Sequence, residues 1–177
     1  MSSRKALSIG SLAAACLASA GTPPESPALG VTVSAAQVSS ADLTIMPDGE
    51  NLPPGSGDAA TGSQIYEANC RACHGERGQG GISDALVGGR GSLAGSNPQQ
   101  TIGSYWPYAT TLFDYVRRAM PYQSPGSLTN EQVYAVTAYL LKLNGVIGEN
   151  DRMDAKTLPT VRMPNADNFD WSSEAPR

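Results

Sequence analysis

The stretch Cys70-Arg71-Ala72-Cys73-His74 constrains what this sequence can fold into more than any other. Two thiols three positions apart, with an imidazole directly after the second, form the attachment signature of a c-type haem. On one helical turn each thiol can make a thioether to one haem vinyl group. His74 then lies beneath the macrocycle with a ring nitrogen placed to bind the iron. His74 is the only histidine among the 177 residues, so no rival imidazole exists. The same cysteines could instead form a redox dithiol or half of a zinc site. A dithiol of the thioredoxin kind wants a βαβ pattern around it, and none is visible. A structural zinc site wants four Cys or His ligands, and outside the motif only Cys16 remains. The motif therefore predicts one haem c, attached through Cys70 and Cys73.

Attachment of such a haem outside the cytoplasm requires export, and the N-terminus reads accordingly. Arg4 and Lys5 precede an apolar, small-residue run from Ala6 to Ala20. Ala18-Ser19-Ala20 before Gly21 fits a small-x-small cleavage site, with Val33-Ser34-Ala35 as a second choice. The run is short for a membrane span. Cys16 follows Leu12-Ala13-Ala14-Ala15, a poor lipoprotein-type sequence, and is expected to leave with the signal. Residues 1–20 are thus expected to be a signal peptide and the protein periplasmic, with no transmembrane span. Losing Arg4 and Lys5 leaves ten basic against sixteen acidic residues, net −6, and residues 58–145 hold six of each. The excess negative charge lies in the flanks, and nucleic acid is excluded as a partner.

Residues 21–57 are rich in Pro, Gly, Ser and Ala and lack a sustained period, which suggests a linker or a surface-wrapping arm. The ordered domain is expected over 58–145. Asp58 can N-cap a helix through 59–69 that delivers Cys70. Gly62 and Tyr66 share a face of it, and a helical glycine is best explained by close crossing of another helix. Residues 75–104 contain nine glycines, either a loop following a flat ligand or a plain surface loop. Carbonyls near Gly88 and Gly89 are candidate acceptors for the His74 Nδ1–H. Tyr105 and Trp106, in the aromatic run Tyr105-Trp106-Pro107-Tyr108, suit a haem edge or ordinary core. Residues 109–119 read as a helix with Leu112, Tyr115, Val116 and Ala119 on one face, halted by Pro121. Arg117 and Arg118 at its end suit the helix dipole, or alternatively a propionate or a partner. Met120 follows in an extended segment, where a soft thioether can serve as the second iron ligand; Met163 is the competing choice. Thr129 with Gln132 forms a capping box that opens a helix over 129–144. Val133, Val136, Thr137, Leu140 and Leu141 make its apolar stripe, and Asn144-Gly145 stops it. Residues 146–177 read as an extended tail.

These motifs, in this order over residues 58–145, resemble class I c-type cytochromes. Gly62, Tyr66, Cys70, Cys73 and His74 match the N-terminal helix and haem motif, and Met120-Pro121 matches the sixth-ligand segment. Val136 and Tyr139 fall where that family's C-terminal helix crosses the first. No proline follows the haem motif at the usual ligand-supporting position. A more specific resemblance spans Ile102-Gly103-Ser104-Tyr105-Trp106-Pro107-Tyr108-Ala109-Thr110, the run Tyr115 to Pro121, the run Pro125 to Thr129, and the tail from Leu158 to Asn165. These runs are similar to the cytochrome subunits of bacterial sulfite and sulfane dehydrogenases. That resemblance implies a partner subunit carrying a molybdenum cofactor.

The expected fold is all-α: a small haem domain of about three main helices with long loops and extended N- and C-terminal arms. The expected function is electron transfer by a His74/Met120-ligated haem. Electrons are accepted one at a time from a molybdenum-containing sulfite or sulfane dehydrogenase subunit and passed to a downstream acceptor. A free shuttle cytochrome is one alternative, and a haem enzyme or gas sensor with an open iron site is another.

Overall fold

A computed structural model describes residues 29–169. The expected signal segment with Cys16, the prolines at 23, 24 and 27, and the end of the tail with Trp171 lie outside the described residues. The chain divides into two units, Met1–Ser39 and Ser40–Arg177. The described part of the first unit runs from 29 to 39. It enters a short helix, α1 (Ala35–Ala41), that buries no residue.

In the second unit a short strand, β1 (Ser56–Asp58), runs directly into α2 (Ala59–Asn69). Asp58 caps α2 as its side chain suggests: Thr61 N–H donates to its carboxylate at 2.8 Å. A single turn, α3 (Arg71–His74), follows, then a long loop, then α4 (Ala109–Ala119) and α5 (Asn130–Leu143). The capping box at the start of α5 is formed in both directions. Thr129 N–H donates to Gln132 Oε1 at 2.9 Å, and Gln132 N–H donates to Thr129 Oγ1 at 3.3 Å. Two single 3₁₀ turns in the tail, Leu158–Thr160 and Ala166–Asn168, complete the described elements.

Helix α5 is central. Its apolar stripe predicts one buried face, but Tyr134, Ala135 and Ala138 are buried as well as Val133, Val136, Leu140 and Leu141. The reason is that α2, α4 and β1 all pack on it. The crossing with α2 falls at Gly62. A Cβ there would lie 1.9 Å from Ala135 O and 2.8 Å from Tyr139 Cβ, so the contact is backbone against backbone. Tyr66, one turn further along α2, packs its ring on Tyr139 at 5.3 Å. Against α4 the contact is aromatic, with Phe113 and Tyr134 ring centroids 4.4 Å apart.

The flanks within this unit belong to the same core. Ile45, Met153, Leu158 and Met163 are buried in it. Tyr134 hydroxyl donates to Pro53 O at 2.8 Å. The tail returns as a second strand, β2 (Arg152–Asp154), antiparallel to β1 with Gly57 opposite Met153. This two-stranded ribbon is not anticipated by an all-α reading: each strand has three residues, too few to show a period. Among the described residues no helix is long and apolar enough to cross a membrane.

The crossing sets a clear expectation. Gly62→Ala forces α2 away from Ala135 and should lower stability by about 1–3 kcal/mol, read as a lower urea midpoint of the haem-loaded protein. An unchanged midpoint would show that the helices do not cross at this glycine.

Candidate haem site

The motif sits at the junction of two helices. Cys70 ends α2, its N–H donating to Tyr66 O at 2.8 Å, and also begins α3. Within that turn Cys73 N–H and His74 N–H both donate to Cys70 O, at 3.1 and 3.0 Å. Gly75, with φ of +83°, takes the chain out of the turn. Tyr66 hydroxyl donates to Gly75 O at 2.8 Å and so ties α2 to the far side of the motif. Cys70, Cys73 and His74 therefore leave one turn and line one cavity.

The glycine-rich loop returns to the motif by a ladder of backbone bonds. Gly80 N–H donates to His74 O at 2.9 Å and Ser83 N–H to Cys73 O at 3.0 Å, while Leu86 and Val87 N–H share Gly78 O. None of the loop's glycines is among the residues lining the cavity. Six of those between 75 and 91 have positive φ, so they serve the turns of the loop and not approach to a flat ligand. What the loop brings to the cavity is the run from Ile82 to Leu86 and, near its end, Gln100, Thr101 and Ile102.

The acceptor for His74 differs from the sequence expectation. His74 Nδ1 lies 2.9 Å from Asp84 O. A carbonyl can only accept, so Nδ1 carries the proton and Nε2 keeps a free lone pair. The carbonyls at Gly88 and Gly89 are otherwise engaged. Thr101 Oγ1 donates to the first at 2.6 Å and Ser92 Oγ to the second at 2.6 Å.

Met120 ends α4 in an extended conformation (φ −123°, ψ 148°), and the Met120–Pro121 peptide is cis. Its side chain lines the same cavity as the motif. Met163 and Met153 are buried in the core and do not line it, and Met46 is exposed. Of the two aromatic candidates, Trp106 lines the cavity and meets Tyr115 edge-on at 5.7 Å. Tyr105 does not line it. Its ring packs edge-on against Phe169 at 5.5 Å, and its carbonyl accepts from Asn165 Nδ2 at 2.8 Å, so it anchors the tail. Adjacent residues diverge after the turn closed by Tyr105 N–H on Thr101 O. Arg118 pairs with Asp114 on its own helix, the local account of that charge. Gln123, which no motif points to, places Nε2 4.0 Å from Cys73 Sγ.

The cavity has a volume of about 610 Å³, within the range of roughly 300–1,000 Å³ usual for cofactor sites. Its walls are mainly apolar, from Leu112, Val116, Leu128, Val136 and Leu140, with Trp106, Thr101 and Gln100 as polar points. The residues present fit a covalently held haem. Two free cysteines, an imidazole with one nitrogen tied back and the other available, and a neutral thioether share one apolar cavity. Burial, reinforced by Cys73, pushes the Cys70 thiol up to about 11, as expected for a thiol set in an apolar cavity.

Comparison with known proteins gives two findings. The family model for cytochrome c matches residues 59–144. A chain in the crystal structure of the sulfane dehydrogenase SoxCD from Paracoccus pantotrophus is similar at 38% identity and a TM-score of 0.75. The match covers 85% of this chain and 80% of that one. No curated protein sequence matches.

Two buried tyrosines give the site's surroundings a pH dependence. Burial pushes both Tyr66 and Tyr134 up to about 12 from 10.0. Each donates its hydroxyl proton to a backbone carbonyl, which a phenolate cannot do. Below about 10 both folded and unfolded chains hold these protons and the contribution to stability is complete. Above it the unfolded chain releases them first, so stability should fall between about pH 10 and 12. Tyr66→Phe should flatten this fall in urea midpoints; a variant tracking the wild type throughout would remove Tyr66 from the account.

Proposed function

This chain belongs to the cytochrome c family, and on that premise we propose that it is a periplasmic electron carrier whose haem is ligated by His74 and Met120. It takes electrons one at a time from a molybdenum-containing sulfite or sulfane dehydrogenase subunit and passes them to a downstream acceptor. Haem c is held covalently through Cys70 and Cys73. The observation that carries the ligation is the single cavity lined by Cys70, Cys73, His74 and Met120 together.

When bound, the haem supplies a one-electron ferric/ferrous couple. The chain's own residues hold and tune it. His74 Nδ1–H donates to Asp84 O, so Nε2 is the nitrogen His74 presents, and the hydrogen bond fixes the ring. Met120 offers a neutral, soft sulfur that favours the ferrous state and raises the potential. Leu112, Val116, Val136 and Leu140 exclude water from the cavity. With His74 and Met120 both assigned to the iron, a haem held there would leave no place for a substrate. That supports a carrier over an enzyme or gas sensor.

Support for the partner comes from two sides. The runs around 102–110, 115–121 and 125–129 resemble the cytochrome subunits of sulfite and sulfane dehydrogenases. The structural match is to a chain from a sulfane dehydrogenase, across most of both chains. The oxidation of a reduced sulfur species is thus the upstream reaction class. The export reading rests on residues 1–20.

Two measurements test this. Met120→Ala should lose the methionine–iron charge-transfer band at the red edge of the ferric spectrum and show a lower potential. It should also gain ferrous carbon monoxide binding that the wild type lacks. A persisting band would overturn the Met120 assignment. Purification of the tagged protein from its native host should recover a molybdenum-containing subunit in stoichiometric amount. Recovery of the haem protein alone would sink the partner assignment and leave a free shuttle.

A further inference from the structure

The side chain of Asn144 reaches well beyond the helix it ends. Asn144 and Gly145 stop α5: Asn144 N–H donates to Leu140 O at 3.2 Å, and Asn144 Nδ2 donates to the same carbonyl at 2.9 Å. That is ordinary capping. The same Nδ2 also donates to Leu86 O at 3.2 Å, and Asn144 Oδ1 accepts from Gly88 N–H at 3.3 Å. One amide thus satisfies a donor and an acceptor on the strip from Ser83 to Gly88, more than fifty residues away in sequence. The neighbourhood is shaped to this side chain. A Cβ on Gly103 would lie 2.3 Å from Asn144 Oδ1, so a side chain at 103 would displace the Asn144 amide.

The strip matters because Asp84 lies within it. Its start is fixed by Ser83 N–H on Cys73 O, and its middle by Leu86 and Val87 N–H on Gly78 O. Its far end is held by Asn144, with Ile102 N–H on Leu86 O at 3.3 Å and Thr101 Oγ1 on Gly88 O at 2.6 Å. Between these anchors the Asp84 carbonyl meets His74 Nδ1 at 2.9 Å. Asn144 does not itself line the cavity.

We propose that Asn144 is a positioning residue for His74: it anchors the 83–88 strip to the end of α5 and so holds the Asp84 carbonyl against Nδ1. The proposal rests on His74 being an iron ligand. The hydrogen bond gives the imidazole more negative character, which strengthens it as a ligand and favours the ferric state. Loosening the strip lengthens that bond and shifts the balance toward ferrous iron. Asn144 acts one step further out, through the strip that carries the Asp84 carbonyl.

The test uses the full haem-loaded protein. Asn144→Leu removes both bonds to the strip. It should raise the midpoint potential and speed solvent exchange of the His74 Nδ1 proton, followed by NMR in the ferrous state. Asn144→Ala removes the same bonds without adding bulk or charge. It should show both shifts, and it decides the question if the leucine variant does not accumulate. Wild-type potential and exchange in the variants would overturn the proposal even with a lowered melting temperature, because a simple cap moves stability alone. A wild-type protein lacking the low-spin spectrum of two side-chain ligands would instead overturn the ligation reading.

Discussion

The approach of α2 to α5 at Gly62 is the contact on which the site depends. Because it is made by backbone, with Ala135 O where a side chain would be, the relative position of the two helices has little slack. Each helix then carries part of the site at its end or along its face. Helix α2 delivers Cys70 at its last turn. Helix α5 contributes Val136 and Leu140 to the cavity wall and Asn144 to the loop beyond it. A shift of either helix moves the thioether end of the cavity against its apolar wall.

The cavity lies inside the core more than beside it. Leu112 and Val116 face it from α4, whereas Phe113, on the next position, packs into the protein against Tyr134. A domain of this size buries too little apolar surface to be comfortable without help. The macrocycle supplies some of what is missing, and the flanking segments supply more. Ile45 comes from before the first strand, and Met153, Leu158 and Met163 from after the last long helix. The three-residue ribbon of β1 and β2 secures both flanks, with Arg152 reaching Asp58 and Ser56 across it.

Much of this was legible in the sequence where chemistry is carried by side chains. Cys70, Cys73 and His74 announce the cofactor, Asp58 and Thr129 mark two helix starts, and Met120 before Pro121 marks a helix end near a soft ligand. Gly62 announces a crossing, because a glycine within a helix asks for a reason. The resemblance placed Val136 and Tyr139 at that crossing; Tyr139 is there, its Cβ 2.8 Å from a Cβ built on Gly62, but the backbone contact is with Ala135, one position before Val136. What the sequence did not show is carried by backbone. The acceptor for His74 is the carbonyl of Asp84, and any residue has a carbonyl. The glycines at 88 and 89 drew attention to the wrong carbonyls, since their function is to turn the loop. Tyr105 misled for a related reason: an aromatic next to Trp106 suggests a shared face, yet neighbours in a chain point apart.

The two candidate ligands of the iron are held in unlike ways, and this bears on how the site can respond to change. His74 is fixed at several points: its N–H and carbonyl lie in backbone bonds with Cys70 and Gly80, and its ring is tied to Asp84. Met120 has one backbone bond, to Val116 O, and then a chain that leaves α4 through Pro121 into an exposed loop at 122–127. The thioether therefore depends on packing in the cavity, while the imidazole depends on hydrogen bonds in the loop. Substitutions at Tyr122 act on the methionine side, whereas Gln123, with Nε2 4.0 Å from Cys73 Sγ, also touches the motif. Substitutions in the 83–88 strip act on the histidine side and leave the Met120 segment as it is. The fold thus holds the two candidate ligands from different stretches of chain, joined through the helices that line the cavity and through Gln123 beside Cys73.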